Sequence, residues 1–335
     1  MEWTFRSAAL AVAIAAALPG AAHAFRLDYA IDAGVERDDN VTLTDVDPIK
    51  QDIGRVGLGF TAEQASSAVR AAVVGRVDHR RYEDIYDNVT DSMLEGRLEW
   101  EVLPDRLALV VEDSYGVQTI NRFSPDAPDN RQQVNVLSLG PTLLFRPGNM
   151  QGVAELRYIN SDAEVTRDFN SNRLLGAVRL VQELSPTSTL GWNAQIQRVD
   201  FDDDNFARDH DRIELFASYG RDYRRFDLQL DAGYALLDYD DGEDRSRPLV
   251  RAELGWNPTT RSRFYLNLAE QFSDAATSSL DAIDTTGGVP TSVITGDRTL
   301  TASAFEQRSA MAGYEFQGSR LAYSLHGQTM NLDYV

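Results

Sequence analysis

The stretch Phe25-Arg-Leu-Asp-Tyr-Ala-Ile-Asp-Ala-Gly-Val-Glu-Arg37 alternates strictly between two sets of residues. Its odd positions from Phe25 to Val35 are apolar, and its even positions from Arg26 to Glu36 are polar or small. Successive side chains of a β-strand point to opposite faces, so the stretch predicts a strand with one apolar and one polar face. The same alternation recurs along the rest of the chain.

About fifteen such segments follow one another, each near the ~10 residues that a tilted strand needs to cross a membrane. The pattern predicts no amphipathic helix after residue 24. The stretch 274–306 is the least regular, and it leaves open a longer strand over 299–308 or two further strands. The predicted strands are 25–37, 53–64, 67–80, 92–103, 105–119, 133–146, 150–160, 173–184, 188–201, 211–221, 224–238, 248–257, 261–273, 307–316 and 320–333.

The connections alternate between short turns rich in Pro, Gly and Asn and long acidic loops, which is typical of transmembrane β-barrels. A soluble β-sandwich or β-helix is the alternative, but the polar faces carry charges that are costly to pack without water. We therefore predict an all-β fold, a transmembrane antiparallel up-and-down β-barrel of about sixteen strands. An even strand number is the bacterial rule, so either a final return strand is missing from the sequence or one segment is miscounted.

The first 24 residues predict a secretory signal peptide. A short segment with Arg6 precedes an apolar run that ends at Pro19 and Gly20, and Ala22-His-Ala24 is a small-x-small cleavage signal. The barrel then comprises residues 25–335. The predicted location is the outer membrane of a Gram-negative cell, with outer-membrane lipid as a partner.

Composition excludes several classes of protein. The net charge of −20 argues against nucleic acid as a partner, and the absence of Cys excludes disulfide scaffolds and thiolate metal sites. His79, His210 and His326 share no motif, so we predict no catalytic residues, no cofactor and no enzyme activity. The acidic loops, such as Asp238 to Asp244, lack the Glu that a calcium-binding EF-hand would need at Leu249, so no metal site is predicted.

The polar faces supply a set of candidate residues for the lining of a hydrated interior. Mixed charges of this kind suit the passage of polar solutes, and the alternative is that they only pair with one another across the interior. The candidates are Arg26, Asp28, Asp32, Arg55, Arg70, Arg76, Glu95, Arg97, Glu99, Glu101, Glu155, Arg157, Arg179, Glu183, Glu214, Asp231 and Arg263.

Two short motifs resemble the β-barrel porin type-2 family. Asp32-Ala-Gly-Val-Glu-Arg-Asp-Asp-Asn-Val41 is similar to the family's first strand and the loop after it, and Tyr82-Glu-Asp-Ile-Tyr-Asp-Asn-Val89 to an Arg-Tyr strand end before an Asp-Asn loop. The resemblance implies an outer-membrane barrel associated with exopolysaccharide biosynthesis and export. It implies polysaccharide and periplasmic export components as partners, and it brings no catalytic residues. The C-terminus departs from the family because it lacks the usual final aromatic strand.

The leading hypothesis is a channel or accessory for exopolysaccharide secretion. A general or solute-selective diffusion porin is the second, and a non-conducting structural barrel whose outer loops bind a partner is the third. An enzyme at the barrel rim is a distant fourth. If the acidic excess lies in the interior, a mild preference for cations is expected.

Overall fold

A computed structural model describes residues 25–41, 47–83, 85–121, 124, 127–203, 208–240, 242–281, 283, 285, 288–293, 295–296 and 304–334. The predicted signal peptide lies outside the described residues, as do parts of the long loops and residues 299–303.

The described residues form fifteen β-strands, as the alternation predicts, and one short α-helix. The helix, α1 (Ala275–Asp281), lies in the irregular stretch 274–306, and the described residues are otherwise almost without helix, as the alternation predicts. Its seven residues are too few for an apolar periodicity to show in the sequence. The strands are β1 (Phe25–Asp38), β2 (Gln51–Ala65), β3 (Val69–Tyr82), β4 (Val89–Leu103), β5 (Leu107–Thr119), β6 (Arg131–Phe145), β7 (Met150–Ala163), β8 (Ser171–Ser185), β9 (Ser188–Phe201), β10 (His210–Tyr223), β11 (Phe226–Tyr239), β12 (Arg245–Thr259), β13 (Ser262–Ser273), β14 (Phe305–Gln317) and β15 (Ala322–Tyr334).

Each strand lies beside its neighbours in the chain, so the sheet order runs from β1 to β15 without a crossover. Short connections such as 186–187 and 224–225 alternate with long ones such as 39–50 and 274–304, which confirms the predicted sorting by length. The fold is therefore an all-β, up-and-down antiparallel sheet of the barrel class. β1 and β15 stand at the two ends of this order.

The strand register sorts polar and apolar residues onto separate faces. Asp32 lies opposite Gly57, and Gly57 lies opposite Asp78, so these residues share one face, which we call the polar face. The register places on the opposite, apolar face Ile31, Leu58 and Val77.

The apolar face is exposed and charged residues of the polar face are buried, which is the reverse of the arrangement in a water-soluble protein. Leu58 is 45 % exposed and Val77 is 43 % exposed, whereas Arg76 and Asp78, on either side of Val77, are 0 % exposed. An exposed apolar surface with charges buried behind it is stable when lipid surrounds the outside and polar groups meet inside.

The chain divides into two compact units. The first comprises 1–141, 159–171 and 275–301, and the second comprises 142–158, 172–274 and 302–335. In the first unit, α1 contributes Ala275 and Ala276 to a buried apolar cluster with Val134, Val136, Ile159, Ala163 and Phe169. In the second unit, Ala235, Leu237, Phe272 and Ala304 form a separate cluster.

The opposite faces of β9 provide a direct test of the membrane-facing side. Ile196 on the apolar face is 52 % exposed, and the adjacent Gln195 lies on the polar face opposite Glu214. We expect Ile196→Arg to lower the free energy of unfolding from lipid by about 2–4 kcal/mol, because a charged side chain on the lipid side is destabilising. Gln195→Arg is the matched control and should have little effect. Denaturant titration in liposomes measures both, and equal losses would contradict the assignment of faces.

Candidate functional site on the polar face of the sheet

A charge network occupies the polar face of β1, β2 and β3. It consists of Asp32, Arg55, Arg76 and Asp78. The Nη2 atom of Arg76 lies 2.8 Å from the Oδ2 atom of Asp32 and 2.6 Å from the Oδ1 atom of Asp78. Arg55 approaches the Oδ1 atom of Asp32 at 3.4 Å. A buried guanidinium needs several partners of this kind to offset the hydration it loses.

Part of the longest loop lies on this network. We call residues 288–296 the covering segment; residue 294 is outside the described ranges. Arg76 Nη1 donates to the main-chain oxygen of Pro290 at 2.8 Å, and the main-chain N–H of Val293 donates to Asp78 Oδ2 at 2.9 Å. Arg55 donates to the main-chain oxygen of Thr291 at 3.3 Å. The network therefore holds the segment through main-chain atoms.

Two glycines of β2 make the space that this arrangement needs. A Cβ atom at Gly57 would lie 2.0 Å from Arg76 Nη2, and one at Gly59 would lie 2.3 Å from the carbonyl oxygen of Pro290. Real Cβ atoms do not approach other atoms so closely, so any larger residue at Gly59 forces the segment to move. Glycine in a strand often marks such a close approach of another backbone.

The far end of the covering segment is fixed to β5. The N–H of Gly296 donates to the carbonyl of Val117 at 2.8 Å, and the N–H of Thr119 donates to the carbonyl of Gly296 at 2.9 Å. These two bonds form a parallel bridge between Gly296 and Gln118. The long loop thus has three attachments within the first unit: the charge network, this bridge and the packing of α1.

A second charge network lies within the second unit. Asp274, just after β13, accepts hydrogen bonds from Arg173 of β8 and Arg212 of β10. Farther along the polar face, Arg251 lies 3.7 Å from both Glu214 and Asp231. All of these groups except Arg251 and Asp231 are buried.

Most of the predicted lining residues take part in ion pairs on the polar face. Within the described chain these pairs are Arg26 with Asp28, Arg55 and Arg76 with Asp32, Arg70 with Glu99, Arg97 with Glu112, Arg157 with Glu155, Arg263 with Asp227, and Glu214 and Asp231 with Arg251.

The four other candidates have different surroundings. Glu101 accepts a hydrogen bond from the main-chain N–H of Asp105 in the following turn. Glu95 lies opposite Ser114 of β5. Glu183 lines a cleft of about 360 Å³ at the short-turn end of the second unit. Arg179 donates to the side chain of Asn193.

Sequence reasoning missed several residues of the two networks. Asp78, Arg173, Arg212 and Arg251 lie on the same alternating positions as the predicted set and could have been included by position alone. Asp274 gave no such signal because it lies in an irregular loop, where only the fold brings it to the two arginines.

At the loop end of the second unit, four carboxylates surround Arg198. It donates two parallel hydrogen bonds to Asp240, at 2.8 and 2.5 Å, and another to Asp200 at 2.8 Å. Asp209 and Asp211 lie within 3.8 and 3.7 Å. The hydrogen bond from the Arg198 guanidinium lowers the pKa of Asp240, which lies just beyond β11.

Among the residues that the structure describes, no helix has the length and apolar composition needed to span a membrane. In the same ranges, no three His, Asp or Glu side chains converge as metal ligands would.

No family model and no curated protein matches the chain. Its fold is similar to solved outer-membrane β-barrels. The FrpB iron transporter of Neisseria meningitidis has a TM-score of 0.50 at 11 % identity, over 92 % of this chain and 54 % of that one. The ferric enterobactin receptor PfeA of Pseudomonas aeruginosa gives 0.48 at 12 % identity, over 92 % and 53 %. OccAB3 of Acinetobacter baumannii gives 0.38 at 9 % identity, over 92 % and 95 %. The chain thus spans about half the length of the two iron-related proteins, and these likenesses concern the fold alone.

A larger residue at position 59 should displace the covering segment from the polar face, because a Cβ there would collide with the carbonyl oxygen of Pro290. The chain contains no Cys, so Thr291→Cys supplies a single site for a water-soluble maleimide. In that background, Gly59→Val should increase the labelling rate about tenfold, the effect of losing ~1.4 kcal/mol of attachment. Gly54→Val is the control on the same strand, because a Cβ there meets nothing within 4 Å. Equal labelling rates in the two variants would show that Gly59 does not set the position of the segment.

The pKa of Asp240 provides a pH test. A carboxyl whose pKa is lowered by folding stabilises the fold above its unfolded value of about 3.9, and this contribution is lost as the pH falls through the folded value. We expect Arg198→Gln to raise the pKa of Asp240 toward its ordinary value, as measured by carbon-detected NMR titration in micelles. Arg308→Gln serves as the control, since Arg308 pairs instead with Glu270 and Glu306. An unchanged pKa in Arg198→Gln would refute the assigned cause.

Proposed function

We propose that the chain forms an outer-membrane channel for hydrophilic material and that this material is exopolysaccharide leaving the cell. The observation that supports a channel is that the sheet exposes apolar residues and buries charged ones. Val77 is exposed, whereas its neighbours in sequence, Arg76 and Asp78, are fully buried. Such a surface encloses water and polar groups on one side and faces lipid on the other.

The covering segment gives this channel its selective element. It lies on the polar face of β1 to β3 and is fixed through its own main chain to Arg55, Arg76 and Asp78. Material that moves along this face meets the segment, whose contacts with the network use main-chain atoms. A fixed constriction lined by a few side chains is how many pores select their solutes.

The composition of the polar face supports a hydroxyl-rich cargo. Arginines and carboxylates lie side by side in ion pairs such as Arg70 with Glu99 and Arg97 with Glu112, so the face offers many hydrogen-bonding groups of both kinds. Hydroxyl groups both donate and accept, and they can exchange hydrogen bonds with either sign of charge. The residues 32–41 and 82–89, which resemble exopolysaccharide-associated barrels, support the same cargo.

The proposal includes two kinds of partner. Outer-membrane lipid surrounds the apolar face, where exposed side chains such as Leu215, Tyr234 and Leu325 lie. Periplasmic export components would deliver the polymer at the end of the sheet that carries the short turns, since short turns face the periplasm in barrels of this class.

Single-channel recording tests this function. We expect the full chain in a planar bilayer to conduct and to show a mild cation preference in a salt gradient, because the chain carries a net charge of −20. The host's own polysaccharide should block the current, and Gly59→Val should raise the open conductance while Gly54→Val leaves it unchanged.

The other outcomes identify the rival functions. Conductance that is indifferent to the polysaccharide would overturn the cargo and leave a diffusion porin. Complete absence of conductance, with Gly59→Val also silent, would overturn the channel itself and favour a structural barrel. Anion selectivity would refute the assignment of the acidic excess to the interior.

A further inference from the structure

A cavity of about 280 Å³ lies on the polar face of the second unit, between β7, β8, β9 and β10. This is close to the lower limit of the ~300–1,000 Å³ typical of small-molecule sites. The side chains that give it chemical character are Glu155, Arg179, Asn193, Gln195 and Phe216. It holds one guanidinium, one carboxylate, two amides and one aromatic ring.

Arg179 is set in place but its charge is not neutralised. Its Nε atom donates to Asn193 Oδ1 at 2.9 Å. Asn193 is itself fixed, because its Nδ2 atom donates to Ser218 Oγ at 2.8 Å and to the main-chain oxygen of Phe216 at 3.4 Å. In the described part of the chain, no carboxylate forms an ion pair with Arg179, and its side chain is exposed. The fork of terminal Nη groups is therefore available to a ligand carboxylate, which a guanidinium binds with two parallel hydrogen bonds.

The other groups in the cavity match a hydroxylated ring. Gln195 is partly exposed and makes no hydrogen bond to the described residues, so both ends of its amide can serve a ligand. Glu155 is 39 % exposed and lies 3.8 Å from Arg157, a distance that leaves its oxygens open to hydroxyl donors. Phe216 forms a cation–π contact with Arg251, whose guanidinium carbon lies 5.3 Å from the ring centre.

We propose that this cavity binds an acidic sugar unit of hexuronate type. The sugar carboxylate pairs with Arg179, its hydroxyls bond to Gln195 and Glu155, and the apolar face of the ring packs on Phe216. Asn193 is a positioning residue, because it acts through Arg179. This inference rests on the proposed function and specifies its cargo as a polysaccharide with carboxylated units.

Binding of defined probes to the full chain in detergent micelles tests the site. We expect D-glucuronate to bind about tenfold more tightly than D-glucose or acetate by titration calorimetry, because only glucuronate combines the carboxylate with the ring. Arg179→Gln should reduce glucuronate affinity about tenfold and leave the weak binding of glucose unchanged. Phe216→Ala should weaken glucuronate but not acetate.

The control is Arg263→Gln, since Arg263 lies on the polar face away from the cavity and pairs with Asp227. It should bind glucuronate like the unaltered chain. Acetate binding equal to glucuronate, or an Arg179→Gln variant that binds normally, would overturn the site. Because binding is measured without current, a chain that binds glucuronate but does not conduct keeps the site and loses the channel. A chain that conducts but does not bind keeps the channel and loses the site.

Discussion

The burial of Arg76 is the constraint on which the first unit depends. A guanidinium removed from water is stable only with acceptors nearby, and the strands supply the carboxylates of Asp32 on β1 and Asp78 on β3. The remaining acceptor is the carbonyl oxygen of Pro290, which belongs to a loop more than two hundred residues further along the chain. The position of the covering segment, the glycines beneath it and the burial of the charges are thus parts of one arrangement.

The two units use their polar faces differently. In the first, Arg76 and Asp78 form an ion pair and also bond to main-chain atoms of the covering segment, which lies over them. In the second, Arg173 and Arg212 donate hydrogen bonds to the loop residue Asp274. Arg179 and Gln195 instead line a cavity that no loop residue covers in the described ranges. A single sheet with one repeating pattern therefore carries both a fixed loop segment and an open cavity. What differs is whether a loop residue reaches each arginine.

The sequence predicted the strands well because alternation is a local property. Each strand can be recognised from its own residues, such as Phe25 to Arg37, and the polar positions follow from the same count. The sequence could not predict the covering segment, because Pro290 takes part through its main-chain oxygen and Val293 through its main-chain N–H. Every residue has a main-chain oxygen and every residue except proline has an N–H, so these contacts leave no mark on residue type. Gly57 and Gly59 were the one sign of the segment in the sequence, since two glycines at alternate positions weaken a strand unless another group approaches closely. The cavity around Arg179 was likewise out of reach, because its lining comes from four strands whose registers only the fold sets.

An attachment made through the main chain also has an evolutionary consequence. The network contacts the carbonyls of Pro290 and Thr291 and the N–H of Val293, not their side chains. The side chains of Pro290 and Thr291 can therefore be exchanged without loss of these contacts, whereas Val293 is buried and Gly296 lies against Gln118. The chemistry at one or two loop positions can thus change over evolutionary time while the strands continue to set the path of the backbone.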